Sequence, residues 1–370
     1  MILLSTRREV MAGLAASAAI SSPAASERKL ALFATGYARE GATGLVPLSF
    51  AVEDGRWQQG DAFVGVRDGS FGTWSPRFRL HYLVEEAREG TLAVVRRSGP
   101  RWKVLARVPA AGADPCHLAL NSRQSMLAVA NYSSGSVSAF RLDPAGLPVG
   151  RPIVRRHIGS GPNPSRQASA HAHCVVFSPD GRWLWTVDLG VDAVFAYLVD
   201  ARHGTIGQAT LAFGADPGSG PRHLVLHPRL PLAYLVNELS NNVTALRMDG
   251  GRFHAFASRS TLPHDFEGAN TAAEILVNDA GTQLYVSNRG HDSVAVFSLD
   301  GRGVPDLIQH VGCGGRQPRF IRLLEQQRRL LVANEESGTV ATFRVASDGR
   351  LAPYGQSVSA PGVTYVGLEA

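Results

Sequence analysis

The chain has 370 residues, 44% hydrophobic and 18% charged, with 39 Gly, 21 Pro and 3 Cys. That composition excludes a disordered, collagen-like or disulfide-framed protein and leaves ample apolar material for a large core. The formal charge of +6 comes from scattered arginines, with Lys29 and Lys103 the only lysines; without a basic run, nucleic acid is not the expected partner.

The first element is residues 1–25. Ser5-Thr6-Arg7-Arg8 precedes an Ala-rich run from Met11 to Ile20, and the small residues SSPAAS follow. Charged start, short apolar stretch and small-residue zone are the order of a secretory signal. The adjacent arginines resemble the twin-arginine type, which is read by its own translocase during export. The run is too short to span a bilayer as a helix. The expected location is therefore periplasmic, with no membrane insertion of the mature chain; the alternative is a cytoplasmic protein with a disordered tail. Cys116, Cys174 and Cys313 have neither CxxC nor zinc-finger spacing and read as small buried residues.

From residue 30 to 370 the chain reads as a single repeating domain. Residues 117–131, 174–188, 223–237, 274–288 and 320–334 align without gaps and end on Asn131, Asp188, Asn237, Asn288 and Asn334. Each is followed by a polar turn and an alternating strand such as AVFAYLVD or SVAVFSLD. The turns SPDG (178–181) and NDAG (278–281) carry the Asp and Gly that tight turns need. Apolar residues recur with period two, which favours strands over helices. A copy at 80–97 lacks the usual turn and looks shortened, and a strand pair at 30–55 makes a seventh unit. Units of 46–57 residues point to an all-β fold, a seven-bladed β-propeller of four-stranded antiparallel blades around a central channel. GVTYVGL (362–368) is placed to close the ring.

In such a blade the start of the first strand lies beside the end of the second, so both gather at one mouth of the channel. The starts offer Cys116, His117, His171, His173, Arg222, His223, Glu274 and Arg319; the ends offer Glu85, Glu86, Asp188, Glu238, Arg289 and Glu335. The recurring Asn131, Asn237, Asn288 and Asn334 read as structural side chains that stabilise the next turn. His173, Arg222, Glu238 and Arg289 do not recur from blade to blade. One imidazole, two guanidiniums and a carboxylate on one rim suit an anionic ligand, although an ion-pair network closing the channel would use the same groups. For His117, His223 and Glu274 both readings stay open. His81, His157, His203, His227, His254, His264 and His310 show no such placement and read as surface residues.

At HAHCVVFSPDG with VDLG, GPRHLVLHP with VNEL, AEILVNDAG with SNRGHDSVAVF, and QPRF with VANEESGTV, the sequence resembles the propeller lactonases. That family includes propeller-type 6-phosphogluconolactonases and carboxymuconate cyclases. The resemblance implies a small-molecule substrate, an anionic or sugar lactone, opened by water. It maps the family's pocket His, Arg, Glu and Arg onto His173 (or His171), Arg222, Glu238 and Arg289, with Glu238, His173 and Arg289 expected as catalytic. With the rim positions added, Arg222, His171, His223, Glu274, Asp188 and Arg319 are expected around the substrate. The base for water is Glu238, or alternatively His173; arginines stabilise the oxyanion, and no metal or other cofactor is needed. By fold analogy alone, Asp188 with the Asn ring is an alternative calcium site. A cyclase-like lyase or isomerase and a non-catalytic binding propeller are the competing functions. The expected state is a monomer.

Overall fold

The computed structural model describes residues 29–99 and 101–369; the segment 1–25, expected to be an export signal, lies outside the described residues. Seven antiparallel sheets follow one another round a ring. The innermost strands of blades 2 to 7 are Gly69–Ser75, Pro115–Leu120, Ala172–Phe177, Pro221–Leu226, Thr271–Val277 and Pro318–Leu324. Blade 1 is assembled from both ends of the chain. Its innermost strand is Val363–Leu368, paired antiparallel with Lys29–Gly36, with Phe33 opposite Gly367. Blades 4 and 7 have their outermost strand broken into two short pieces, Thr205–Ile206 with Thr210–Gly214 and Leu351–Pro353 with Val358–Ser359. Among the described residues, helix amounts to two 3-10 turns, Ala38–Glu40 and Glu325–Gln327.

The period-two pattern explains why flat sheets stack into a ring. In Leu232–Asn237, Ala233 and Leu235 pack toward blade 4, while Tyr234 and Val236 pack toward blade 6. Leu127 and Val129 likewise face blade 2, and Ala128 and Ala130 face blade 4. The core is thus a set of apolar layers between neighbouring blades, and the buried second strands, such as Leu232–Asn237 and Met126–Asn131, need two apolar faces. Aromatic side chains also bond from one blade to the next. The Tyr82, Tyr234 and Tyr285 hydroxyls donate to the carbonyls of Gly146, Gly303 and Gly349, and Trp185 Nε1 donates to that of Gly251. In the SPDG turn, Gly181 takes φ 72, where a side chain would be strained.

Two expectations need correction. Blade 2 is complete: Gly69–Ser75, Leu80–Glu85, Thr91–Ser98 and Arg101–Pro109 form four strands. Its inner strand, GSFGTWS, is masked in sequence by its glycines, which lower apparent strand character. Three of the supposed surface histidines are buried. His81 packs among Phe33, Trp74 and Trp102. His157 bridges Asp188 and Tyr197 at 2.6 Å each. His227 accepts from the Arg229 and Leu230 amides and reaches the Gly281 carbonyl. The hydrogen bonds of His157 and His227 offset their loss of water, while burial lowers His81 to about 3 and keeps it neutral.

Ring closure leaves no spare room at Gly36, where a Cβ would stand 1.8 Å from the Gly362 carbonyl oxygen. Gly36→Ala is therefore expected to cost about 1–3 kcal/mol, the usual range for overpacking. Urea unfolding of the variant checks this; an unchanged midpoint would mean that the closing strand shifts freely.

Candidate functional site

The innermost strand of every blade slips register against its neighbour at the same step. The slip falls between Gly69 and Phe71, Pro115 and His117, Ala172 and Cys174, Pro221 and His223, Ala272 and Ile275, and Pro318 and Phe320, and opposite Val363 and Tyr365. A bulge re-aims the side chain of the unpaired residue. The residues so placed are Ser70, Cys116, His173, Arg222, Ala273 with Glu274, Arg319 and Thr364. All but Ala273 line one small void in the channel, about 10 Å³, with Phe71, Glu86, His223 and Phe320.

The chain entering the bulges of blades 5, 6 and 7 is held by a side chain of the blade before it. Asp192, Asn241 and Asp292 occupy equivalent turns with φ between 51 and 54. Asp192 accepts from the Gly218 and Gly220 amides, just ahead of Arg222. Asn241 accepts from the Ala272 amide ahead of Glu274, and Asp292 from the Gln317 amide ahead of Arg319. Asp and Asn suit this job because they tolerate the left-handed conformation and bond nearby backbone.

Glu238, at the end of the second strand of blade 5, is the centre of the mouth and is almost fully buried. Its Oε1 receives Arg166 Nη2 at 2.5 Å. Its Oε2 stands 3.1 Å from Arg222 Nε, 3.0 Å from Arg289 Nη2 and 4.0 Å from His173 Nε2. Burial pushes the Glu238 carboxyl up, but the charges of Arg289, Arg222 and Arg166 outweigh it and hold it at about 2. Burial lowers Arg289 to about 10 against the pull of Glu238, so it keeps its charge at neutral pH. His173 is pushed well below the usual histidine range, first by burial and then by the Arg222 charge, and is neutral.

Both deep arginines are anchored to backbone. Arg222 Nη1 donates to the Ala273 carbonyl at 2.8 Å, and Arg289 Nη2 to that of Ala272 at 3.3 Å. Arg222 Nη1 also lies 3.2 Å from His223 Nε2, whose ring presents Nδ1 to Glu274 Oε1 at 2.8 Å. An arginine only donates, so Nε2 accepts and Nδ1 carries the proton to the carboxylate. The buried Nε–H of Arg289 has no hydrogen-bond partner among the described residues, and that of Arg222, although 3.1 Å from Glu238 Oε2, makes no aligned hydrogen bond there. Across the channel, Arg319 Nη2 donates to the Tyr37 hydroxyl at 2.8 Å; that hydroxyl donates to Glu86 Oε2, and Glu335 lies 3.4 Å from Arg319 Nη1.

Of the side chains singled out by sequence, Glu238, His173, Arg222, Arg289, His223, Glu274 and Arg319 come together. His171 and Asp188 do not. His171 stacks on Tyr132, and its amide donates to Asp188 Oδ1. Asp188 is fully buried and spends its oxygens on His157 and on the His171 and Gly190 amides, so neither substrate nor calcium is served by it. In the Asn ring the Nδ2 groups are committed, Asn131 to Ser136 and Ser138 and Asn237 to Asn242 and Thr244, while the Oδ1 atoms of Asn131, Asn237 and Asn334 have no hydrogen-bond partner among the described residues. Among the described residues, no three His, Cys, Asp or Glu side chains are grouped to hold a metal ion. A larger cleft of about 470 Å³ lies on blade 2, but its Glu85 is already saturated by Arg107, Thr91 and the Arg67 amide.

Sequence reasoning missed Arg166 and Tyr37. Arg166 sits in the linker 157–171, the longest between blades. Linker length was its one signal, since long loops at a mouth carry function more often than short ones.

The family model described as "Lactonase, 7-bladed beta-propeller" matches residues 31–368. An uncharacterised protein of Lactococcus lactis is 33% identical over 305 residues, 81% of this chain and 88% of that protein. A Bacillus subtilis protein named 6-phosphogluconolactonase is 34% identical over 255 residues, 68% of this chain and 72% of its own. Among solved structures, the periplasmic gluconolactonase of Pseudomonas aeruginosa superposes with a TM-score of 0.86 at 27% identity, over 92% of this chain and 98% of the other.

Removing the central carboxylate charge would leave Arg222 and Arg289 buried and unbalanced. Glu238→Gln is expected to cost about 3–5 kcal/mol in urea unfolding near neutral pH. Because the folded carboxyl is depressed, that contribution is full above the ordinary carboxylate value of 4.5 and fades as pH falls toward about 2. Equal stability of variant and parent at pH 7 would contradict this electrostatic account.

Proposed function

The chain belongs to the family of seven-bladed β-propeller lactonases, and on that footing we propose that it hydrolyses a sugar lactone at the mouth built around Glu238. The observation that carries the reading is the pair of anchored, buried guanidiniums whose Nε–H groups make no aligned hydrogen bond. A site rich in fixed donors and short of acceptors is suited to an ester carbonyl oxygen that becomes an oxyanion.

In this reading Arg222 and Arg289 hold the carbonyl oxygen, and Glu238, ionised at neutral pH, accepts a proton from water as its oxygen bonds to the carbonyl carbon. Neutral His173, beside the same carboxylate, orients the water. Collapse of the tetrahedral intermediate breaks the bond between the acyl carbon and the ring oxygen, which leaves with the proton from Glu238 as a hydroxyl. The product is a hydroxy acid that ionises and releases one proton, and its carboxylate meets the same two arginines. His223 and Glu274 act on none of these atoms; they orient Arg222.

The preferred substrate in this proposal is an unphosphorylated aldonolactone met in the periplasm. The twin-arginine-like segment at 1–25 supports it, as does the likeness to a protein named periplasmic gluconolactonase. The relative named 6-phosphogluconolactonase keeps the phosphorylated lactone as the comparison substrate.

Acid release from glucono-1,5-lactone and from its 6-phosphate, with and without chelator, tests the proposal. The expected result is chelator-insensitive turnover, with kcat reduced about 100-fold or more when Arg289 is changed to Ala, as for loss of an oxyanion donor. Failure to exceed the spontaneous rate on both lactones would overturn it. Cys116→Ser is expected to leave kcat/KM within about twofold, since a thiol has no step in this chemistry; a larger loss would call for a different nucleophile.

A further inference from the structure

The three guanidiniums around Glu238 are held in different ways. Arg222 and Arg289 rise from blade strands and are tied to backbone carbonyls. Arg166 comes from the linker 157–171, and its side chain is 35% exposed, against 4% for Arg222 and 11% for Arg289. Beneath it the linker is fixed. His157 is clamped between Asp188 and Tyr197 at one end. Gln167, fully buried, donates to the Leu189 carbonyl and to Asp192 Oδ1. Asn163 accepts from the amides of Ser165 and Arg166. The backbone is therefore set, and the Arg166 side chain, held by Glu238 Oε1 and the Tyr132 hydroxyl, is the part able to move.

The channel void below has about 10 Å³, about what one water needs and far from the ~300 Å³ or more of a small-molecule site. A lactone must displace something at the mouth. Moving Arg222 or Arg289 would strand a buried charge. Moving Arg166 would not, because it is partly solvated and Oε2 of Glu238 keeps two cations. While Arg166 stays, Oε1 is taken up by a charge-assisted hydrogen bond and Glu238 is left only 3% exposed.

Resting on the lactonase reading, we propose that Arg166 is a substrate-specificity residue: it leaves Glu238 Oε1 for the oxygen substituents of the lactone ring, and the vacated Oε1 is the atom that takes the proton from water. The guanidinium fork suits either paired hydroxyls or a phosphate. Substrate binding and exposure of the base are then one event, and a ring without such oxygens leaves the carboxylate covered.

Steady-state kinetics of the parent, Arg166→Ala and Arg166→Lys on glucono-1,5-lactone and its 6-phosphate test this, with melting curves for each. The expected result for Arg166→Ala is a KM raised about tenfold or more on at least one lactone while kcat falls less than about threefold, with partial recovery in Arg166→Lys. The lactone with the larger KM change identifies whether hydroxyls or phosphate are read. If Arg166→Ala does not fold, Arg166→Met, which keeps the apolar stem, takes its place. Unchanged KM on both lactones, or a fall in kcat alone, overturns the assignment of Arg166. Absence of turnover by the parent protein overturns the lactonase reading, and this inference with it, so the two failures are told apart.

Discussion

Three blades of this propeller are fastened to the next where a short polar side chain grips the backbone about to enter the channel. Asp192, Asn241 and Asp292 do this for blades 5, 6 and 7, and each grip falls one to four residues ahead of the bulge that turns Arg222, Glu274 or Arg319 inward. The equivalent turns ahead of blades 4 and 1 carry Gly135 and Gly338, whereas Arg222, Glu274 and Arg319 are positioned by this repeated device. That lets blade-specific chemistry be written at one position per blade while the fold stays regular.

The electrostatic consequence is a mouth organised by one anion. Glu238 balances two deep arginines, and burial keeps the neighbouring imidazole of His173 neutral. Such an arrangement sacrifices basicity for order: a carboxylate with this many cations is ionised at almost any pH but attracts a proton weakly. Chemistry at the site therefore depends on which of its cations can be lent to a ligand. The opposite wall is more evenly balanced, with Arg319 facing Tyr37, Glu86 and Glu335, so the channel mouth is polar across its width.

The repeat made most of this legible in sequence. Once the five 15-residue segments are aligned, any side chain that breaks the pattern at a strand start or end is a candidate, and Glu238, His173, Arg222 and Arg289 emerge that way. The same logic misplaces Asp188, because it occupies a strand end like Glu238's neighbour Asn237 and nothing local reveals that His157 arrives from the preceding linker to claim it. Arg166 is invisible for the complementary reason, as it lies outside any repeat. Glycines conceal the inner strand of blade 2, and the buried His81 and His227 are hidden by partners that only tertiary structure supplies.

The closing strand carries a further meaning for how the molecule comes into being. Thr364, one of the channel residues, bonds Thr35 across 329 positions of sequence, and its strand is the innermost of blade 1. Contacts of that span are slow to form because a long loop must close first. Six blades can stack as they leave the ribosome, but the first blade keeps its inner edge open until the last residues arrive. Synthesis of the C-terminal strand is therefore the event that turns a curved stack of sheets into a sealed channel, and no partial chain possesses the complete mouth.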